Sequence, residues 1–187
     1  MKKIQILAIV GSFRKDSYNL QLAKATQDLI SSHADFSILD YSELPFFNQD
    51  LEASPPDSVK EIRQKVSQSD ALWFFTPEYN RSYPGLLKNL LDWLSRSPGP
   101  TLAPVIANKL AAISGVTPGM SGTLVAQEHL VALLNFMNLR VLNSHRLAIP
   151  SVKSQISNGK LELQESLPFL KAQCQAFLEF IDNQKRL

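Results

Sequence analysis

A chain of 187 residues, 44% of them hydrophobic, is long enough to bury a full core, and it reads as one domain over 1–187. Its 19 basic and 17 acidic residues nearly cancel, which points away from nucleic acid and membrane surfaces as partners. The single cysteine, Cys174, excludes an internal disulfide and fits a reducing, cytoplasmic compartment, and His33, His129 and His145 lack metal-ligand spacing, so no metal is expected.

Ile4-Gln5-Ile6-Leu7-Ala8-Ile9-Val10 is apolar, β-branched and of strand length. It is too short to span a membrane and fits a first strand better than a signal peptide. Gly11-Ser12-Phe13-Arg14-Lys15-Asp16-Ser17-Tyr18-Asn19 follows, and then a helical apolar stripe through Leu22, Ala23 and Leu29-Ile30. A strand-to-helix loop offers backbone N–H groups and a positive helix end to an anion. Ser12, Ser17 and Asn19 add short polar groups, and Arg14 adds a permanent cation that grips phosphate. Capping of the helix by Ser17 is the plain alternative. No G-K-[ST] follows, and Phe13 stands where the dinucleotide fingerprint needs a second glycine. The ligand expected is therefore one with a terminal monophosphate held by side chains.

Further strands are expected near 35–40, 70–76, 104–113 and 139–144 after the first at 3–10, with helices near 17–32, 56–68, 84–96, 122–137 and 164–182. The run Ala71-Leu72-Trp73-Phe74-Phe75 is continuously apolar, which suits a strand buried on both faces of a parallel sheet. The alternation predicts an α/β fold, a three-layer flavodoxin-like sandwich with a five-stranded parallel sheet in the order 2-1-3-4-5. Asn158-Gly159 between short apolar segments predicts a small surface hairpin.

Two further loops follow strands. Thr76-Pro77-Glu78-Tyr79-Asn80-Arg81-Ser82-Tyr83-Pro84-Gly85 is bracketed by prolines that stiffen it, so its amides can meet the edge of a planar ring. Ser114-Gly115-Val116-Thr117-Pro118-Gly119-Met120-Ser121-Gly122-Thr123 is permissive to close backbone approach. All three loops should meet at one end of the sheet.

These residues resemble the NADPH-dependent FMN reductases of flavodoxin-like fold, a family that includes bacterial quinone, azo-dye and chromate reductases. Gly11-Ser12-Phe13-Arg14 with Ser17 and Asn19 is similar to the family's G-S-[LF]-R-x-x-S-x-N. Pro77-Glu78-Tyr79-Asn80, Ser82, Pro84-Gly85, Leu87-Lys88-Asn89 and Asp92-Trp93 match its P-E-Y-N-x-S-x-P-G-x-L-K-N-x-x-D-W. The resemblance implies that Ser12, Arg14, Ser17 and Asn19 bind the FMN phosphate, with Tyr18 beside them. It implies that the backbone of Pro77, Glu78, Tyr79 and Asn80 meets the isoalloxazine edge, and that Thr117 and Gly119 flank the ring. Thr123 departs from the family's usual Gly-Gly pair, and Tyr83 stands where a smaller aliphatic residue is common.

The implied activity is transfer of hydride from NAD(P)H through FMN to a small acceptor: a quinone, an azo compound, a metal oxyanion or free flavin. No catalytic acid or base is named, because the cofactor carries the redox step, and Glu78 is read as a structural or interface partner. A homodimer or homotetramer is implied, with apolar surface from Phe46-Phe47, Leu86, Leu90 and Trp93 as its candidate face. The alternatives are a flavodoxin-type electron carrier, against which Arg14 and the slightly basic balance speak, and a binding protein without turnover.

Overall fold

The computed structural model describes residues 3–99 and 101–185. Its central sheet runs β2 (Ala34–Ile38), β1 (Ile4–Val10), β3 (Ala71–Phe75), β4 (Leu110–Val116) and β5 (Arg140–Val141), all parallel, with β6 (Leu147–Ile149) also pairing β4. This is the flavodoxin-like strand order. The helices are α1 (Tyr18–Ile30), α2 (Asp57–Gln68), α3 (Gly85–Leu94), α4 (Leu124–Phe136) and α5 (Leu167–Lys185).

Alternation along the strands sorts the side chains into two cores. Ile6, Ala8 and Val10 of β1, with Trp73 and Phe75 of β3, point to α1 and α5, where Leu22, Ile30, Leu170 and Phe177 meet them. Leu7, Ile9, Leu72 and Phe74 point the other way, to Ile62 and Val66 of α2, Leu87 and Leu91 of α3, and Leu130 of α4. Both faces are covered, which is why β3 reads as an unbroken apolar run. The indole of Trp73 is satisfied inside the core: its Nε1 donates to Ser114 Oγ at 2.8 Å, and that hydroxyl donates to Gln173 Oε1 at 2.6 Å. Gln173 Nε2 in turn donates to the Ile113 carbonyl at 2.8 Å, so one buried chain fixes α5 against β3 and β4.

Three expectations shift. The fourth strand begins at Leu110, not 104, because Pro104 to Lys109 turn back on themselves and Asn108 is left-handed with φ 64°. The fifth strand is split in two: β5 pairs Leu110 and Ala111, β6 pairs Ser114 to Val116, and a turn with left-handed His145 (φ 62°) interrupts them. Leu90 and Trp93, read as candidate interface, are wholly buried, while Phe46 is 87% exposed. The expected Asn-Gly hairpin is present as β7 (Ile156–Ser157) and β8 (Lys160–Leu161).

Cys174 is buried, and burial pushes its thiol up to about 12, which makes it a core residue of low reactivity. Of the glycines, Gly115 has the least room for a side chain. A Cβ there would lie 1.9 Å from Thr123 Oγ1 and 2.6 Å from the Thr76 carbonyl oxygen. Gly115→Ala should therefore cost at least about 1–3 kcal/mol, the range for overpacking, and lower the thermal midpoint. A midpoint unchanged from wild type in a melting curve would contradict this packing.

Candidate active site

Parallel strands all deliver their carboxyl ends to one edge of the sheet, and the loops leaving β1, β2, β3 and β4 meet there. The first carries the sequence's phosphate-loop candidates. Gly11 continues the β1–β3 pairing by donating to the Phe75 carbonyl at 2.8 Å, and a Cβ on it would press on Pro77 Cδ at 3.1 Å. Ser17 is the N-cap of α1, with Oγ accepting from the Leu20 amide at 3.4 Å. Ser12 Oγ accepts from the Arg14 amide at 3.4 Å, which bends the loop over that hydroxyl. The Arg14 guanidinium lies 5.0 Å from the centre of the Tyr18 ring, exposed and without a salt bridge among the described residues. A cation steadied by an aromatic face but unmatched by a carboxylate is suited to an outside anion.

Asn19 stands apart from that group. It is 3% exposed, its Nδ2 donates to the Val116 carbonyl at 3.0 Å, and its Oδ1 accepts from the Val116 amide at 3.1 Å. Both ends of the amide are engaged with the end of β4, so Asn19 ties the β1–α1 loop to the third loop.

The β3–α3 loop is a miniature hairpin. Tyr79 and Ser82 exchange both backbone hydrogen bonds, at 2.9 and 3.0 Å, and Asn80 (φ 51°) and Arg81 (φ 64°) at its tip are both left-handed, as a type I′ turn requires. Its rigidity thus comes from the turn as well as from the prolines. Pro84 is the N-cap of α3, one residue ahead of the first helical position.

Glu78 has a role that sequence reading left general. One carboxylate oxygen accepts from Ser121 Oγ at 3.1 Å, and the other accepts from the amides of Val125 and Ala126 at 3.1 and 3.2 Å. Those amides belong to the first turn of α4, whose own N-cap, Thr123, is left-handed (φ 69°) and supplies no side-chain cap. A carboxylate from another loop therefore caps the helix and meets its positive end. Thr123 adopts the conformation that glycine favours, and its side chain occupies the space over Gly115.

The third loop is stitched rather than free. Thr117 Oγ1 accepts from the Gly119 amide at 3.2 Å, the Thr117 amide donates to Ile149 at 3.1 Å, and the Gly119 carbonyl accepts from Ser151 at 2.8 Å. The loop after β2 contributes Tyr41, which the motifs did not flag. Its buried hydroxyl donates to the Val10 carbonyl at 2.7 Å, and its ring meets Phe13 edge-on at 4.8 Å. An aromatic placed just beyond a strand end is the signal that could have found it. Asn89 and Trp93 act on the same loop: both donate to the Pro45 carbonyl at 2.9 Å, and Asn89 Oδ1 accepts from the Phe47 amide at 2.7 Å.

This geometry has close relatives. The model of the NADPH-dependent FMN reductases matches residues 4–154. The chain belongs to that family. It is 36% identical over 169 residues to a 2-hydroxy-1,4-benzoquinone reductase of Burkholderia sp, covering 90% of this chain and 91% of that one. It is 34% identical over 178 residues to a quinone reductase of Pseudomonas putida, covering 94% of each. Among solved structures, FerB, a flavoenzyme NAD(P)H:(acceptor) oxidoreductase from Paracoccus denitrificans, superposes with a TM-score of 0.86 at 34% identity, over 96% of this chain and 98% of that one. Membership in this family of oxidoreductases carries FMN and NAD(P)H as cofactors and disfavours the electron-carrier alternative. Among the described residues no helix is long and apolar enough to cross a membrane.

The cap made by Glu78 can be tested apart from redox chemistry. Glu78→Ala should lower stability by about 1–2 kcal/mol, as loss of an N-cap does. Glu78→Gln, which keeps one acceptor oxygen, should lose less. Urea denaturation of the two variants checks the order, and no loss in either would show that the amides of α4 do not depend on this side chain.

Proposed function

We propose that this protein reduces a small quinone-type acceptor with electrons from NAD(P)H, using FMN bound across the carboxyl ends of β1, β3 and β4. The observation that carries the reading is the Arg14 guanidinium, steadied over Tyr18 and lacking a salt bridge among the described residues, beside Ser12 and the capped start of α1. These residues fit a phosphate: two short hydroxyl groups, a helix N-terminus and a planar cation lie within one loop. FMN, when bound, supplies hydride acceptance and donation. The chain's own part is to hold and shield it. Arg14, Ser12 and Ser17 grip the phosphate, and Asn19 fixes the height of that loop against β4. The hairpin of residues 77–82 sets its amides against the ring edge, and residues 117–119 wall the other side. No side chain is assigned as a general acid or base.

The quinone class follows the relatives' substrates and the apolar mouth of the site. Phe13, Phe46, Tyr79 and Met120, one from each of the four loops, are exposed there, Met120 by 91%. Flat aromatic acceptors match such a rim, and so does a second copy of this chain. We read the assembly as a homodimer or homotetramer that covers this rim, in the cytoplasm, with all 187 residues acting as one flavin-binding domain.

Two measurements test the reading. Purified protein with FMN, NADPH and a benzoquinone should consume nicotinamide absorbance with quinone-dependent turnover, and no turnover with bound FMN would reject the enzyme assignment. Arg14→Ala should weaken FMN by about 1.5–3 kcal/mol, the range for hydrogen bonds to charged groups, while leaving riboflavin little changed. Equal weakening of both flavins would remove Arg14 from the phosphate.

Arg81 separates the two nicotinamide nucleotides in this reading. It is exposed at the hairpin tip and held in the left-handed region, a conformation that costs a non-glycine residue about 1–2 kcal/mol. A fully charged fork displayed at that cost suits the 2′-phosphate of NADPH. Arg81→Ala should raise the KM for NADPH more than for NADH and leave FMN affinity unchanged. Steady-state titrations of both nucleotides check this, and an unchanged preference would return Arg81 to the solvated surface.

A further inference from the structure

A groove of about 730 Å³ runs beside the phosphate loop, along α1 from Arg14 and Tyr18 to Asp28. At about 1.5 Å per residue, the stretch from Tyr18 to Asp28 is about 15 Å long, room for one nucleoside phosphate laid along the helix. The opposite wall is the β7–β8 hairpin, at Asn158, Gly159 and Lys160. That wall is built in place. Gln21 Nε2 donates to the Gly159 carbonyl at 3.2 Å, and Gln21 Oε1 accepts from the Leu161 amide at 2.8 Å. Asn158 (φ 50°) and Gly159 (φ 74°) are both left-handed, so the hairpin closes in a tight two-residue turn.

The lining has a definite chemistry. Four cations, Arg14, Lys15, Lys24 and Lys160, stand around the groove with two carboxylates, Asp16 and Asp28. None of the six forms a salt bridge among the described residues. Lys24 lies on one wall and Lys160 on the other, so an anion between them meets positive charge from both sides. Leu20, Ala25 and Leu161 offer apolar surface between the charged groups. Such a lining suits a phosphate joined to a flat, partly apolar base, with two carboxylates in the same wall as acceptors for ribose hydroxyls or an exocyclic amine.

We propose that this groove takes the adenosine 5′-phosphate half of FAD, so that the protein binds FAD as well as FMN. The proposal rests on the reading of the Arg14 loop as the holder of the flavin phosphate. Because Arg14 and Tyr18 belong to both the loop and the groove, a second phosphate joined to the first by an anhydride bond would emerge into the groove. The absence of a second glycine after Gly11 argues only against a pyrophosphate pressed on bare backbone, whereas side chains from two walls meet it here.

The test is isothermal titration of the full chain with FMN and with FAD, for wild type and for the double variant Lys24→Glu with Lys160→Glu. Wild type should bind both flavins. Reversing two exposed charges should weaken FAD about tenfold, more at low salt than at high, and leave FMN within about twofold. That unchanged FMN affinity also reports that the variant is folded. Equal effects on the two flavins, no effect on FAD, or a wild type that binds FMN but not FAD would each overturn the proposal. A wild type that binds neither flavin would overturn the FMN reading beneath it.

Discussion

The carboxylate of Glu78 ties two loops that leave different strands. By accepting from Ser121, Val125 and Ala126 it sets the β3–α3 hairpin against the start of α4 and supplies the cap that Thr123 does not. The spacing between the β3–α3 hairpin and the start of α4 follows from this contact. Thr123 can hold its left-handed conformation over Gly115 because the helix it begins is capped from outside. An ordinary N-cap reaches its helix from the same chain segment, whereas this one spans 47 residues to Val125 and so couples the loops as it satisfies the amides.

A second long-range pairing works alongside it. Asn19 returns the β1–α1 loop to Val116, at the root of the third loop, with a matched donor and acceptor. Tyr41 draws the loop after β2 to the end of β1, and Asn89 and Trp93 hold Pro45 and Phe47 from below. The four loops are therefore positioned by polar side chains that spend their hydrogen bonds on backbone. Few side chains are left for ligand chemistry, which suits a site whose cofactor performs the redox step while the protein supplies position and shielding. Arg14 and Arg81 are the exceptions, cations on separate loops that none of the described carboxylates neutralises by a salt bridge.

Much of this protein was legible in its sequence. The apolar runs at Ile4–Val10 and Ala71–Phe75, each followed by turn residues and a helical stripe, marked the strands of a parallel sheet, because period and burial are written locally. The polar loop after the first of them pointed to the order 2-1-3-4-5. Capping of α1 by Ser17 and the Asn158-Gly159 turn follow from short-range chemistry in the same way. Tertiary structure alone decided which polar side chains of these motifs turn to another loop. Asn19 and Glu78 sit in motifs that look like binding residues, yet their partners are 97 and 43–48 residues away. The split of the fifth strand and the late start of the fourth likewise depended on left-handed His145 and Asn108, which an apolar pattern does not reveal. The physical reason is common to all of these. A residue's propensity is set by its neighbours in sequence, but a hydrogen-bond partner is set by which strand ends the fold brings side by side.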